Sequence, residues 1–231
     1  MKLCLLAVCL CLATALAQAA PTRINATYSF AKSGQQVGVV TETFTQNGKH
    51  YELSSETKAI GIFALFARET IKLISRGEVG KNGLKPIHFE HHPGKDPDRR
   101  ILADFDWNAG KLTVKYDGRS EVLPLEPDAQ DRISLLYQFM YLPHGAKQFS
   151  FAMTNGKKID RFQYVLVGEE TLTTPAGQFQ TLHYSRQHNP GENDTEIWLA
   201  KDKNYFPVRV IVGEKDAGKL EQTVTRLDFE F

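Results

Sequence analysis

His88, Glu90 and His92 sit at alternate positions of an extended run, so in a strand they share one face and His91 takes the other. Two imidazoles and a carboxylate so placed are able to hold zinc and leave a position open for water. The competing reading is an exposed strand end, because the polar loop Pro93-Gly94-Lys95-Asp96-Pro97-Asp98 follows at once. Asp104 and Asp106 also share a face, and Asp128 and Asp131 stand near the start of an apolar stretch. Paired carboxylates divide acid and base work when their environments differ. Capping, turn and solvent roles account for these four more simply. The chain has no Gly-x-Ser-x-Gly elbow, no HExxH and no phosphate-cradling glycine loop, and His50, His144, His183 and His188 suggest no triad. No catalytic residue, metal ligand or cofactor is assigned, and the expectation is a protein that is not an enzyme. Glu196 and Arg209 fall on neighbouring strands and are expected to pair across them.

Apolar side chains point to a different kind of site. Ile60 to Ala67 is a dense uncharged run with Gly61 as a hinge position. It reads either as a core segment or as a hydrophobic flap or membrane-touching loop, for which exposed apolar patches are the usual sign. Ile62, Phe63, Leu65 and Phe66 from this run, with Tyr137, Met140 and Trp198, are the expected ligand contacts.

Compartment follows from the first twenty residues. Met1-Lys2 is a short positive start, Leu3 to Leu16 is too short to span a bilayer, and Ala17-Gln18-Ala19 fits a small-x-small cleavage site. Residues 1–20 read as a signal peptide, and 21–231 as one β-rich domain with no membrane span. Cys4, Cys9 and Cys11 all lie in the segment removed, so the remaining chain has neither thiol nor disulfide. An exported domain without disulfides points to a periplasm. The chain has 28 Lys and Arg against 27 Asp and Glu, and loss of Lys2 balances them, which speaks against a nucleic-acid partner.

These residues must be positioned by strands. Alternating runs recur throughout, separated by Ser33-Gly34, Asn47-Gly48, Asn82-Gly83, Asn108-Ala109-Gly110, Asn155-Gly156 and Pro175-Ala176-Gly177. The stretch Thr171–Val212 reads as an antiparallel three-strand meander. The exception is Asp128 to Leu142, expected as a helix capped by Asp128 and stopped by Pro143. It carries one stripe of Ile133, Leu136, Tyr137 and Met140 and another of Leu135, Phe139 and Leu142. A helix apolar on both sides needs cover on both. So many strands do not lie flat, which leads to a strongly curved antiparallel sheet or partial barrel with one helix packed in its concave side.

The ordered set Gly83-Leu84-Lys85-Pro86, Phe105-Asp106-Trp107, Gln130 to Leu136, Thr174 to Phe179, Ile197-Trp198-Leu199-Ala200 and Tyr205 to Arg209 resembles the domain-of-unknown-function 3108 family of bacterial exported proteins. The resemblance implies no reaction and no catalytic residues. It does imply a curved β half-barrel similar to that of periplasmic lipoprotein carriers. A curved sheet with one helix has an inner face to cover, which favours a ligand such as a lipid or lipoprotein acyl chain in the concavity. The alternative is a cell-envelope assembly or scaffolding module that binds another protein at a sheet edge. A hydrolase-type enzyme with an unrecognised site comes third.

Overall fold

The computed structural model describes residues 21–66, 69–143, 145–188, 193–214 and 218–231. The expected signal peptide, the last residue of the apolar run Ile60 to Ala67, and His144 lie outside the described residues. Fifteen strands run in chain order: β1 (Arg23–Lys32), β2 (Gln35–Asn47), β3 (His50–Ala59), β4 (Ile71–Gly80), β5 (Gly83–His92), β6 (Ile101–Asp106), β7 (Lys111–Tyr116) and β8 (Arg119–Pro124). They continue as β9 (Gln130–Asp131), β10 (Gln148–Thr154), β11 (Ile159–Thr174), β12 (Gly177–Arg186), β13 (Asp194–Ala200), β14 (Phe206–Glu214) and β15 (Gly218–Glu230). The expected three-strand meander is β12, β13 and β14. Ser33-Gly34 and Asp117-Gly118 each pair two positive φ angles, the backbone of tight two-residue hairpin turns.

All fifteen strands form one curved, unclosed sheet in the order β8-β7-β6-β5-β4-β3-β2-β1-β15-β14-β13-β12-β11-β10-β9. Among the described strands only β9 runs parallel to its neighbour, β10. The first and last long strands meet mid-sheet, Arg23 opposite Glu230 and Lys32 opposite Leu220. Alternation decides which side chains face inward: Ile24, Ala26 and Tyr28 on β1, Val40 and Phe44 on β2, and Ala103 and Phe105 on β6 are buried.

The concave side holds one helical segment, α2 (Ser134–Gln138) continued by a 3-10 turn, Phe139–Tyr141. The expected start at Asp128 is corrected. Gln130 and Asp131 are held extended against Met153 and Thr154, so the helix cannot begin before Asp131. The Asp131 carboxylate accepts from the Ile133 and Ser134 N–H groups at 3.1 and 2.9 Å, and so does the capping. Asp128 instead binds Arg161. The two apolar stripes separate as the sequence requires. Tyr137 stacks on Phe44 at 5.6 Å and meets Phe206 edge-on at 5.4 Å. Phe139 meets Phe151 at 5.7 Å and Tyr164 at 5.5 Å. Burying each such side chain contributes about 1.5–3 kcal/mol.

Polar groups fix the segment against β5. Gln138 Oε1 accepts from the Leu84 N–H at 2.7 Å, its Nε2 donates to the Asn82 carbonyl at 2.7 Å, and Gln130 Nε2 donates to the Leu84 carbonyl at 2.9 Å. Gly83 lies beneath, with φ +97°, and a Cβ there would overlap the Gln138 carboxamide and Tyr141. Gly83→Ala is therefore expected to lose about 1–3 kcal/mol of stability, read by urea denaturation. A variant as stable as wild type would show that this contact is not tight.

Both sheet edges come from one stretch of chain. Residues 125–129 lead from β8 to β9, with Arg161 binding Glu126 and Asp128 beside them. The β10–β11 turn packs against the other half of the sheet. A side chain at Gly156 would overlap Ile101, and Lys157 reaches Asp117 at 2.9 Å and lies 5.0 Å over the Tyr116 ring.

Candidate ligand-binding site

Antiparallel order gathers the β1–β2, β3–β4, β5–β6, β7–β8, β10–β11, β12–β13 and β14–β15 connections at one end of the sheet. Two features at that end could hold a ligand.

The first is the β3–β4 connection. Phe63–Phe66 forms a single helical turn, α1, closed by Phe63 N–H to Ile60 carbonyl (3.2 Å) and Leu65 N–H to Ile62 carbonyl (3.1 Å). Gly61 enters it with φ +57°, a conformation glycine adopts freely. Ile62 is 64% exposed, Leu65 63% and Phe66 84%. The core reading of this run therefore fails for these three side chains, because the turn points them at solvent. Phe63 is half-buried. The β5–β6 connection stands alongside, its Gly94 against the Glu69 carboxylate.

The second is a cavity of about 750 Å³ lined by Met153, Asp160, Phe162, Arg186, His188 and Asn193, with neighbouring polar residues. Register places Phe162 opposite Phe151 and Arg186 opposite Tyr164, both of which pack toward α2. The cavity thus opens on the inner face and its apolar floor joins the cluster around Leu135 and Phe139. Nearby, on β5, His91 is pushed down to about 4 by burial and then by the positive charges of Arg132, His92, Lys157 and Arg99.

Deeper inside lie two carboxyl groups that pair with no cation among the described residues. Glu42 is in phase with Val40 and Phe44 and accepts from Ser55 Oγ and the Tyr137 hydroxyl, each at 3.1 Å. Burial raises it to about 7, against the lowering pull of these two hydrogen bonds. Asp131 accepts from Ser75 Oγ at 2.5 Å besides capping α2, and burial raises it to about 6. Ser75 also contacts the Tyr51 hydroxyl at 2.9 Å. Both carboxyls tie the helical segment to the sheet.

The expected contacts do not converge. Ile62, Leu65 and Phe66 are exposed at the end, while Tyr137 and Met140 are core, 0% and 3% exposed. Trp198 is buried apart from the cavity, its ring 4.1 Å from His183 and under Arg209, its indole N–H donating to Glu170. The expected Glu196–Arg209 pair is corrected. Glu196 bonds His183 at 2.9 Å and Arg209 bonds Glu221 at 2.9 Å, so each turns to the strand on its other side, β12 and β15.

His88, Glu90 and His92 do share a face, with their ligating atoms bound to protein. Glu90 takes His92 at 2.8 Å and Arg76 at 2.9 Å, and His88 Nδ1 meets Asp104 at 2.6 Å. Among the described residues, no group of three His, Cys, Asp or Glu is arranged for a metal ion. No described helix is long and apolar enough to cross a membrane. Sequence reasoning missed Glu42 and Arg186. The signal available was phase: Glu42 alternates with Val40 and Phe44, and Arg186 with Leu182 and Tyr184.

The fold and its open end define a β-barrel-like module whose sheet stays unclosed around a short helix. The same outline occurs in a "beta-barrel-like protein" of domain of unknown function DUF1849 from Brucella abortus, 10% identical, with a TM-score of 0.54 over 91% of this chain and 99% of that one. The family model described as "Protein of unknown function (DUF3108)" matches residues 23–225, and the chain belongs to that family. Weaker likenesses, each at TM-score 0.34, are to a Bacteroides fragilis protein provisionally named as exported, with a YmcC-like fold, and to a Parabacteroides distasonis protein provisionally named a lipoprotein. They are 11% and 12% identical, and each covers 90% of this chain and 96% of its own. No curated protein matches the sequence.

Proposed function

We propose that this is a non-enzymatic protein of the bacterial periplasm that binds an amphipathic lipid-like ligand at the open end of its half-barrel. The observation that carries the reading is the turn Ile62–Phe66, which holds three large apolar side chains in water at the same end as a cavity of ligand size. Nothing in the core requires those side chains to be there, and exposure of this kind is disfavoured unless something covers it. The site lies at the rim of the concavity, because α2 fills its middle.

The double variant Leu65→Ser/Phe66→Ser tests it. The change should leave the melting temperature near that of wild type, since surface positions seldom move stability beyond about 0.5 kcal/mol. Binding of the neutral fluorescent probe N-phenyl-1-naphthylamine should weaken about tenfold or more. A large loss of stability with unchanged probe binding per folded molecule would end the proposal.

The second reading, pairing with an extended segment of another protein, is favoured by one observation. Strand β8 ends the sheet with nearly every residue exposed, Val122 at 60%. The tip variant would leave such pairing intact, so the same protein separates the two readings.

A further inference from the structure

Arg186 closes β12 at the cavity and has no anionic partner among the described residues. Its guanidinium carbon lies 4.7 Å over the Phe162 ring, and its Nε is buried without an acceptor. The acid that lines the same cavity, Asp160, is taken by Lys158 at 2.6 Å. Buried donors are satisfied in nearly all folded proteins, so this one asks for an explanation. A guanidinium also presents a planar fork that fits a carboxylate or phosphate through two parallel bonds. Below it, Phe162 and Met153 run on into the apolar cluster of Phe139 and Leu135. A charged rim over an apolar floor fits a molecule with the same division.

We propose that the cavity takes a single-chain amphiphile with a carboxylate or phosphate headgroup, the headgroup on Arg186 and the chain along Phe162 and Met153. This deepens the functional reading above and rests on it. Decanoate, decyl phosphate and decanol, each below its critical micelle concentration, are titrated calorimetrically into wild type and Arg186→Gln. Wild type is expected to bind both anions at least about tenfold more tightly than decanol, a difference of about 1.4 kcal/mol. Arg186→Gln should abolish that preference and leave decanol binding unchanged. Arg186→Lys, which keeps the charge and loses the fork, should retain only part of it and serves if the glutamine variant does not fold.

Equal binding of decanol and the anions, or a preference that survives both substitutions, overturns the headgroup assignment while the functional reading stands. If none of the three binds, both fall. If acetate or inorganic phosphate binds as tightly as the long-chain anions, the site takes small anions and the amphiphile is wrong. Decanoate and decyl phosphate, compared directly, distinguish the two headgroups.

Discussion

Phe139→Ala is expected to destabilise the protein by about 3–5 kcal/mol, the range for a large aromatic removed from a packed interior. Phe139 is 2% exposed and touches Phe149, Phe151, Tyr164 and Tyr184, which come from three strands, β10, β11 and β12. With Leu135, its ring couples the helical segment to the β10–β12 side of the half-barrel, and the four rings around it come from three strands, so the void cannot be closed by moving one neighbour. Urea denaturation measures the loss, and a fall in midpoint with unchanged slope would mark it as a change in stability. A midpoint equal to that of wild type would mean that the segment is not packed in the concavity.

The second large effect is on pH. In the folded protein Glu42 is raised from an ordinary 4.5 to about 7 and Asp131 from 3.8 to about 6. Folded chains therefore keep protons that unfolded chains have already released. The stabilising contribution is complete below the unfolded values and is lost as pH rises through the folded ones. For Glu42 the window is roughly pH 4.5 to 7 and the loss on the order of 3 kcal/mol, at about 1.4 kcal/mol per pH unit. Asp131 adds a loss of the same sign between roughly pH 4 and 6. Glu42→Gln keeps a group able to bond Ser55 and Tyr137 and removes the titration. Its stability should fall less steeply from pH 4.5 to 7 and exceed that of wild type above pH 7. If the variant shows the full wild-type slope, Glu42 is ionised in its site and the account of its burial is wrong.

The two carboxyls also show what could be read from residue order. Strand existence was legible nearly everywhere, because alternation and the Asn-Gly and Pro-Ala-Gly turns are local signals. The curvature followed from the number of strands. The helix was legible as two stripes, yet its start was not. Asp128 and Asp131 are both acceptable caps, and only the pairing of Gln130 and Asp131 with β10 decides between them. For the run that starts at Ile60 the sequence leaves core and flap both open, for the same reason in reverse. Its composition is that of a core, and nothing in the sequence says that the β3–β4 turn aims Ile62, Leu65 and Phe66 outward. Arg186 was in phase with buried neighbours, but a cation at the end of a strand reads as solvated until the cavity beside it is seen.

The central pairing of β1 with β15 has a consequence for how the chain reaches this structure. Strand β1 is made early, and one of its two edges stays open until β15 exists, nearly the whole domain later. Contacts such as Arg23 with Glu230 carry the greatest loop-closure cost the chain offers, and folds dominated by distant pairings are slow to form. During that interval the open backbone edge of β1, flanked by the apolar side chains of Ile24, Ala26 and Tyr28, is an unpaired template for other strands. A chain threaded through a membrane from its first residue would spend that interval on the far side with its middle seam unstitched. Under the proposed periplasmic location, yield on export should therefore depend on whatever shields β1, and a version with β15 shortened should accumulate as aggregate instead of as a partly folded monomer.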